Sequence, residues 1–259
     1  MGTMGRRGRF WRTPWAKLIA ILLALGAWQL AAAAVDNRLL LVGPGAALGK
    51  FLSLLGEGAF WGALWFTLSR VALGFLLAFL AALALAALAA GFPAAEVLLA
   101  PYMAAVKSVP VASFVVMALL WLSGRRLSIF ISFLIVLPVL YAAFLQGLRS
   151  ADGKLLEMAR VFRMGPWNRL RGIYLPALGP YCLSACRAAL GMCWKAGVAA
   201  EVIGVCSGSM GGMLYDAKVY LELDSLFAWT FAIVLASAAF ERAVLGALGW
   251  LLGRMEGLA

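Results

Sequence analysis

Arg70, Arg187, Lys195 and Glu201 lie inside otherwise apolar runs. An ionised side chain is costly in hydrocarbon, so each must find a partner or face water. Lys195 follows Arg187 by eight residues, roughly one face of a helix, and Glu201 stands near the end of the same stretch. Two chemistries fit. The three can pair inside a helix bundle and fix its packing, or they can line a water-filled path and set its field. A cationic lining attracts anions. Arg70 can snorkel to headgroups or pair with Glu201 across the bundle.

A second group sits in a basic, amphipathic stretch between two long apolar runs. Glu157, Ala159, Arg160, Arg163, Gly165, Trp167 and Arg169 fall within 152–174. Leu155, Leu156, Ala159 and Phe162 recur at helical spacing, Gly165-Pro166 stops the pattern, and Trp167, Leu170 and Tyr174 start a second short one. Leu175-Pro176 then opens the next apolar helix, since proline is tolerated in a first turn. Such a hairpin either lies on anionic headgroups or docks a cytoplasmic partner.

Other chemistry is poorly supplied. The chain has no histidine and four cysteines, and Cys182, Cys186 and Cys193 share one helical face without nearby carboxylates. They read as small packing residues, and no metal is expected. The nearest approach to a phosphate-cradling loop is Gly45-Ala46-Ala47-Leu48-Gly49-Lys50-Phe51; its spacing is one residue short and Phe51 replaces the hydroxyl. No cofactor is expected in this chain.

The elements that position these groups are membrane helices. The 259 residues are 65% hydrophobic and only 13% charged, against about 25% charged in soluble domains. So much apolar surface needs a bilayer as solvent. An all-α chain with six spans is expected, at 16–35, 61–90, 98–122, 128–148, 177–200 and 225–251. The second stops at Gly91-Phe92-Pro93. Pro101 and Pro110 disturb the third, whose continuous helix starts near Val111, and Pro138 kinks the fourth. The basic N-terminus, 1–15, precedes the first span; 61–251 forms the core, with the loop at 150–175, and 252–259 is a tail. The Arg6-Arg7-Gly8-Arg9 start before an apolar run also suits a signal peptide, but the run exceeds a usual signal core and reads as a retained anchor.

The net charge of +11 would suggest nucleic acid in a soluble protein, but no basic face alternates with stacking aromatics. Positive-inside topology accounts for it. With a cytoplasmic N-terminus, inside segments hold thirteen Lys/Arg (including Arg149, Lys154, Arg160, Arg163, Arg169 and Arg171) and outside segments hold five. Both termini and the loop are then cytoplasmic. Of the outside stretches, Pro44 onward is amphipathic, and 213–224 is either a short interfacial helix or a connector.

The loop resembles the EAA loop of ABC importer permeases. That pattern begins Glu-Ala-Ala, has Gly six residues on, and reaches Leu-Pro eighteen and nineteen residues after the Glu. Glu157, Ala159, Leu175 and Pro176 match; Met158 replaces the middle Ala, and Arg163 stands at the Gly position. Thr67-Leu68-Ser69-Arg70-Val71-Ala72-Leu73-Gly74-Phe75 and Trp194-Lys195-Ala196-Gly197-Val198-Ala199-Ala200-Glu201 look like segments of the nitrate/sulfonate/taurine branch. The resemblance covers about 60–250. It implies a bacterial inner-membrane permease subunit that is not itself an enzyme. Its loop would dock cytoplasmic ATPase subunits as a coupling helix, and those subunits would bind the ATP and magnesium. A second permease copy would complete the pore, and an extracytoplasmic substrate-binding protein would deliver a small anion or vitamin precursor. An ion-coupled secondary transporter, a membrane-embedded enzyme and a non-transporting anchor subunit are the alternatives; the first lacks a doubled repeat here.

Overall fold

The computed structural model describes residues 14–35 and 41–256. The basic N-terminal cluster, Arg38 and the last three residues lie outside the described residues, as does any signal segment before residue 14. The described chain is helical: α1 Pro14–Val35, α2 Pro44–Leu55, α3 Gly58–Gly91, α4 Pro93–Ser108, α5 Val111–Ala118, α6 Gly124–Arg149, α7 Gly153–Val161, α8 Pro166–Arg169, a π turn Leu170–Tyr174, α9 Leu175–Ile203, α10 Met210–Val219 and α11 Leu223–Glu256.

Among the described residues three helices are long and apolar enough to cross a membrane: Gly58–Gly91, Gly124–Arg149 and Leu223–Arg254. The expected span at 98–122 is a broken pair, α4 and α5, bent by 99°, and the second helix starts at Val111 as expected. Pro101 sits inside α4 without ending it, and the break falls at Val109-Pro110. Proline disfavours helical backbone in the residue before it, and Val109 is extended, with φ −80° and ψ 131°. The helix after the break is only 8 residues long. Counted as one span, the pair raises the number to four. The expected fifth span corresponds to α9, whose 29 residues exceed a bilayer's need but include Arg187, Lys195 and Glu201. Six spans are therefore not reached on length and apolarity alone. The stop at Gly91 is as expected. The phosphate-loop lookalike lies within α2, so its amides are committed to a helix rather than a cradle.

The chain forms two compact units. In the first, residues 1–58 and 214–232, α1 and α2 meet: Trp28 donates its Nε1–H to the Val42 carbonyl at 3.0 Å, and Phe51 packs edge-on against Phe231. In the second, residues 59–213 and 233–259, α6 packs along α9, with α4 and α5 against α6. Val115, Ala118, Leu127, Ile131, Ala196 and Ala200 form a buried cluster. Small residues let these helices approach closely. A Cβ on Gly197 would come within 2.6 Å of the Ser132 hydroxyl and 2.7 Å of Val71; one on Gly74 would meet the Ile129 carbonyl at 2.7 Å. Cys182, Cys186 and Cys193 are buried in the same packing, in line with their reading as packing residues.

Candidate functional site

The loop after α6 begins with a capped helix. Asp152 accepts the Lys154 backbone N–H, satisfying one of the amides that α7's first turn leaves free. The helix ends in a reciprocal pair of bonds: Met164 N–H reaches the Ala159 carbonyl at 2.9 Å, and Arg163 N–H reaches that of Arg160 at 3.1 Å. This closure needs left-handed backbone at the residue between, and Arg163 has φ +49°. Glycine meets that need at no steric cost, which is the physical sense of the Gly in the resembled pattern. Arg163 keeps the turn geometry and bears the strain of a side chain there, about 1–2 kcal/mol.

Burial divides α7 differently from the spacing. Ala159 is fully buried and Leu156 half-buried, but Leu155 and Phe162 point outward. With Met158 and Val161 they form an exposed apolar face; Val161 is 78% and Phe162 72% exposed. Glu157 and Arg160 border it, both exposed, and Trp167 adds a ring 70% exposed. Arg169 is half-buried and Gly165 precedes the next helix as its extended cap.

That next helix does not open at Leu175-Pro176, as expected, but at Pro166. It continues from α8 through the π turn into α9 without a gap. Pro176 has no N–H to give the Gly172 carbonyl, and its ring would clash with that oxygen in an α turn. The chain widens there: the Leu175 N–H bonds to Leu170, five residues back. One proline signal marks a change of helical pitch rather than a start.

At the far end of α9, Glu201 is wholly buried and has no cationic partner among the described residues. Its Oε2 accepts the Thr67 hydroxyl at 2.8 Å and the Gly211 N–H at 3.3 Å. The Thr67 oxygen in turn accepts the Met210 N–H at 3.0 Å. Ser128 and Ser209 stand against the same carboxyl. The carboxylate thus ties the turn after α9 to α3. A Cβ on Gly211 would come within 2.5 Å of that of Glu201, so the turn can lie this close only without a side chain.

The other intramembrane charges stand apart from Glu201. Arg70 donates from Nε to the Arg125 carbonyl at 2.9 Å and covers the Phe66 ring, its guanidinium carbon 3.3 Å from the centroid. Among the described residues it makes no ion pair with Glu201 or with any other carboxyl group. Arg187 and Lys195 are exposed on α9. Among the described residues the one ion pair joins Arg149 to Glu96. Arg187, Lys195 and Glu201 make no ion pair with one another. Thr67, Met210 and Gly211 escaped the sequence reading as partners. The available signal was a lone buried glutamate that must find donors, and a hydroxyl in an apolar helix able to supply one.

Comparison with known proteins completes the picture. Residues 74–256 match the family described as binding-protein-dependent transport system inner membrane component. A protein of Bacillus subtilis named as an aliphatic sulfonates transport permease, SsuC, is 30% identical over 224 residues, covering 84% of this chain and 79% of the relative. An ABC transporter permease protein of Brucella melitensis is 28% identical over 211 residues, with 81% of this chain and 85% of the relative covered. The bicarbonate transport system permease protein CmpB of Synechococcus elongatus is 25% identical over 202 residues, covering 78% and 72%. The match from α3 to the end of α11, together with the helical membrane architecture and the capped loop of α7, makes this chain a member of the binding-protein-dependent transport system inner membrane component family, a multi-pass membrane permease component rather than an enzyme.

Proposed function

We propose that this chain is the solute-conducting subunit of an ATP-driven importer, coupled to a separate ATPase subunit through residues 152–174. The carrying observation is the exposed apolar face of α7. Leu155, Met158, Val161 and Phe162 are exposed side by side on a short capped helix and its C-cap, between α6 and the Pro166–Ile203 helix. An apolar face rimmed by Glu157 and Arg160 is what a groove on a partner would cover. Arg160, Arg163, Gly165, Trp167 and Arg169 complete that docking element, and both termini lie on its side of the membrane.

Two identical permease copies form the pore, and an extracytoplasmic binding protein delivers solute. Arg187 and Lys195 support the paired arrangement. They are exposed on one protomer at a depth where lipid contact is costly, so their face meets the second copy or a water-filled path. The charge there favours a small anion; relatives named for sulfonates and bicarbonate transport such solutes. Arg70 and Glu201 support the path by holding its helices in register.

The test is purification from native membranes in mild detergent, wild type beside Glu157→Lys and Phe162→Asp. A stoichiometric ATPase subunit retained by wild type and reduced in both variants is the expected result. A chain recovered alone, or with a partner indifferent to both changes, removes the docking role.

A further inference from the structure

We propose that the cleft between the start of α4 and the end of α6 binds a phospholipid whose headgroup carries both a phosphate and a primary ammonium, a phosphatidylethanolamine. The cleft holds about 340 Å³, and Ala100, Ala142 and Leu145 make its apolar wall. Glu96, Gln146 and Arg149 make its polar rim. Glu96 lies in the first turn of α4 and Arg149 is the last residue of α6. The polar groups therefore occur where two apolar helices end, at headgroup depth, with hydrocarbon-like surface beyond.

The charge pattern selects the headgroup. Arg149 donates Nη1–H to Glu96 Oε1 at 2.8 Å and Nη2–H to Oε2. The two side chains remain 49% and 34% exposed. An arginine has five N–H donors and a carboxylate about four acceptor positions, so the pair uses roughly half its capacity. What remains is a cation and an anion side by side at the mouth of an apolar cleft. A phosphate fits the first and a primary ammonium the second. A glycerol headgroup offers Glu96 no cation, and a trimethylammonium offers it no N–H.

Tyr141 supplies an independent indication. It lines the cleft, is 6% exposed, and its hydroxyl has no hydrogen-bond partner. A buried hydroxyl without a partner is costly, so the site gains from a ligand oxygen. A phosphate or ester oxygen within the cleft meets that need.

Native mass spectrometry of the full chain, with equimolar phosphatidylethanolamine, phosphatidylglycerol and phosphatidylcholine of identical acyl chains, tests this. The ethanolamine lipid should be retained over each of the others by about tenfold, the worth of one charge-assisted hydrogen bond. Glu96→Gln should abolish the preference, Arg149→Gln and Tyr141→Phe should lower retention of all three lipids, and the exchange Glu96→Arg with Arg149→Glu should restore the preference. Soluble phosphoethanolamine should not displace the lipid, because it leaves the apolar wall uncovered. Equal retention of the three lipids, an unchanged preference in Glu96→Gln, unchanged retention in Arg149→Gln, or displacement by stoichiometric phosphoethanolamine overturns the assignment.

Discussion

Glu201 and Thr67 should prove to be one energetic unit, which a double-mutant cycle can show. Thr67→Val removes the hydroxyl bonded to Glu201 at 2.8 Å and leaves the Met210 N–H, held at 3.0 Å, without an acceptor. A lost bond contributes about 0.6–2 kcal/mol in a membrane protein, and a buried amide left unsatisfied about 1–3 more. The expected destabilisation is therefore about 2–5 kcal/mol. Glu201→Ala loses that bond and the Gly211 contact at 3.3 Å, and opens a cavity at a wholly buried site, for about 3–5 kcal/mol. The Thr67–Glu201 bond is counted in both single variants. The double variant should thus fall short of their sum by about 0.6–2 kcal/mol. Glu201→Gln keeps an acceptor oxygen of the same reach and should lie within about 1 kcal/mol of wild type. Unfolding of the purified chain in mixed micelles, followed by circular dichroism, reads all four. Additivity within about 0.5 kcal/mol, or a Gln variant as damaged as the Ala variant, would refute the tie between α3 and the turn after α9.

Other outcomes follow from particular contacts. Arg163→Gly should stabilise by about 1 kcal/mol in the same unfolding assay, because left-handed backbone at φ +49° no longer carries a side chain; a loss of stability would mean that the Arg163 side chain makes a compensating contact. Gly197→Ala places a methyl within 2.6 Å of Ser132 and 2.7 Å of Val71 and should destabilise by about 1–3 kcal/mol, read as a lower midpoint. Phe162→Ala, at a position 72% exposed, should leave that midpoint within about 0.5 kcal/mol while lowering the yield of co-purified ATPase subunit.

Much of the fold was legible because local rules and packing agree. Gly91-Phe92-Pro93 stops α3 where expected, Gly43-Pro44 opens α2, and the cysteines at helical spacing are buried. The uncertain stretch at 213–224 contains most of α10, a helix whose polar and apolar residues do not segregate cleanly in sequence. Proline was the weakest guide. Pro101 is absorbed into a helix, Pro110 breaks one, and Pro176 widens one. The residue alone does not decide among these, because each depends on whether neighbouring carbonyls find other donors. The candidate site was legible as a loop but not as surfaces. Leu155 and Phe162 share the helical spacing of Ala159, yet they are exposed and Ala159 is buried. Periodicity finds an apolar stripe; it cannot say that part of the stripe is left for a partner. The Glu201 bonds cross 134 and 10 residues of chain, and such distant pairings have no local signal.

The run from Pro166 to Ile203 gives the loop a mechanical consequence. Its segments of 4, 5 and 29 residues form one helix, about 57 Å long at 1.5 Å per residue. Trp167 lies at one end and Glu201 near the other, so under the proposed coupling a push on the loop reaches the Thr67 tie along a single rod. The rod is least regular at the π turn, where Pro176 prevents an α ladder. Pro176→Ala restores an N–H for the Gly172 carbonyl and removes the clash, so the turn should relax to α. Proline inside a helix costs about 3 kcal/mol relative to alanine; the π turn already relieves part of this, so the gain in stability should be positive and smaller than that. Relaxation also turns the loop relative to α9, by up to about 100°, one residue's rotation, against the constraint of α7. Solute uptake per ATP hydrolysed, measured with the assembled transporter in vesicles, should therefore fall while the unfolding midpoint rises. Uptake per ATP equal to wild type would show that helical pitch at Leu170–Tyr174 does not transmit the stroke.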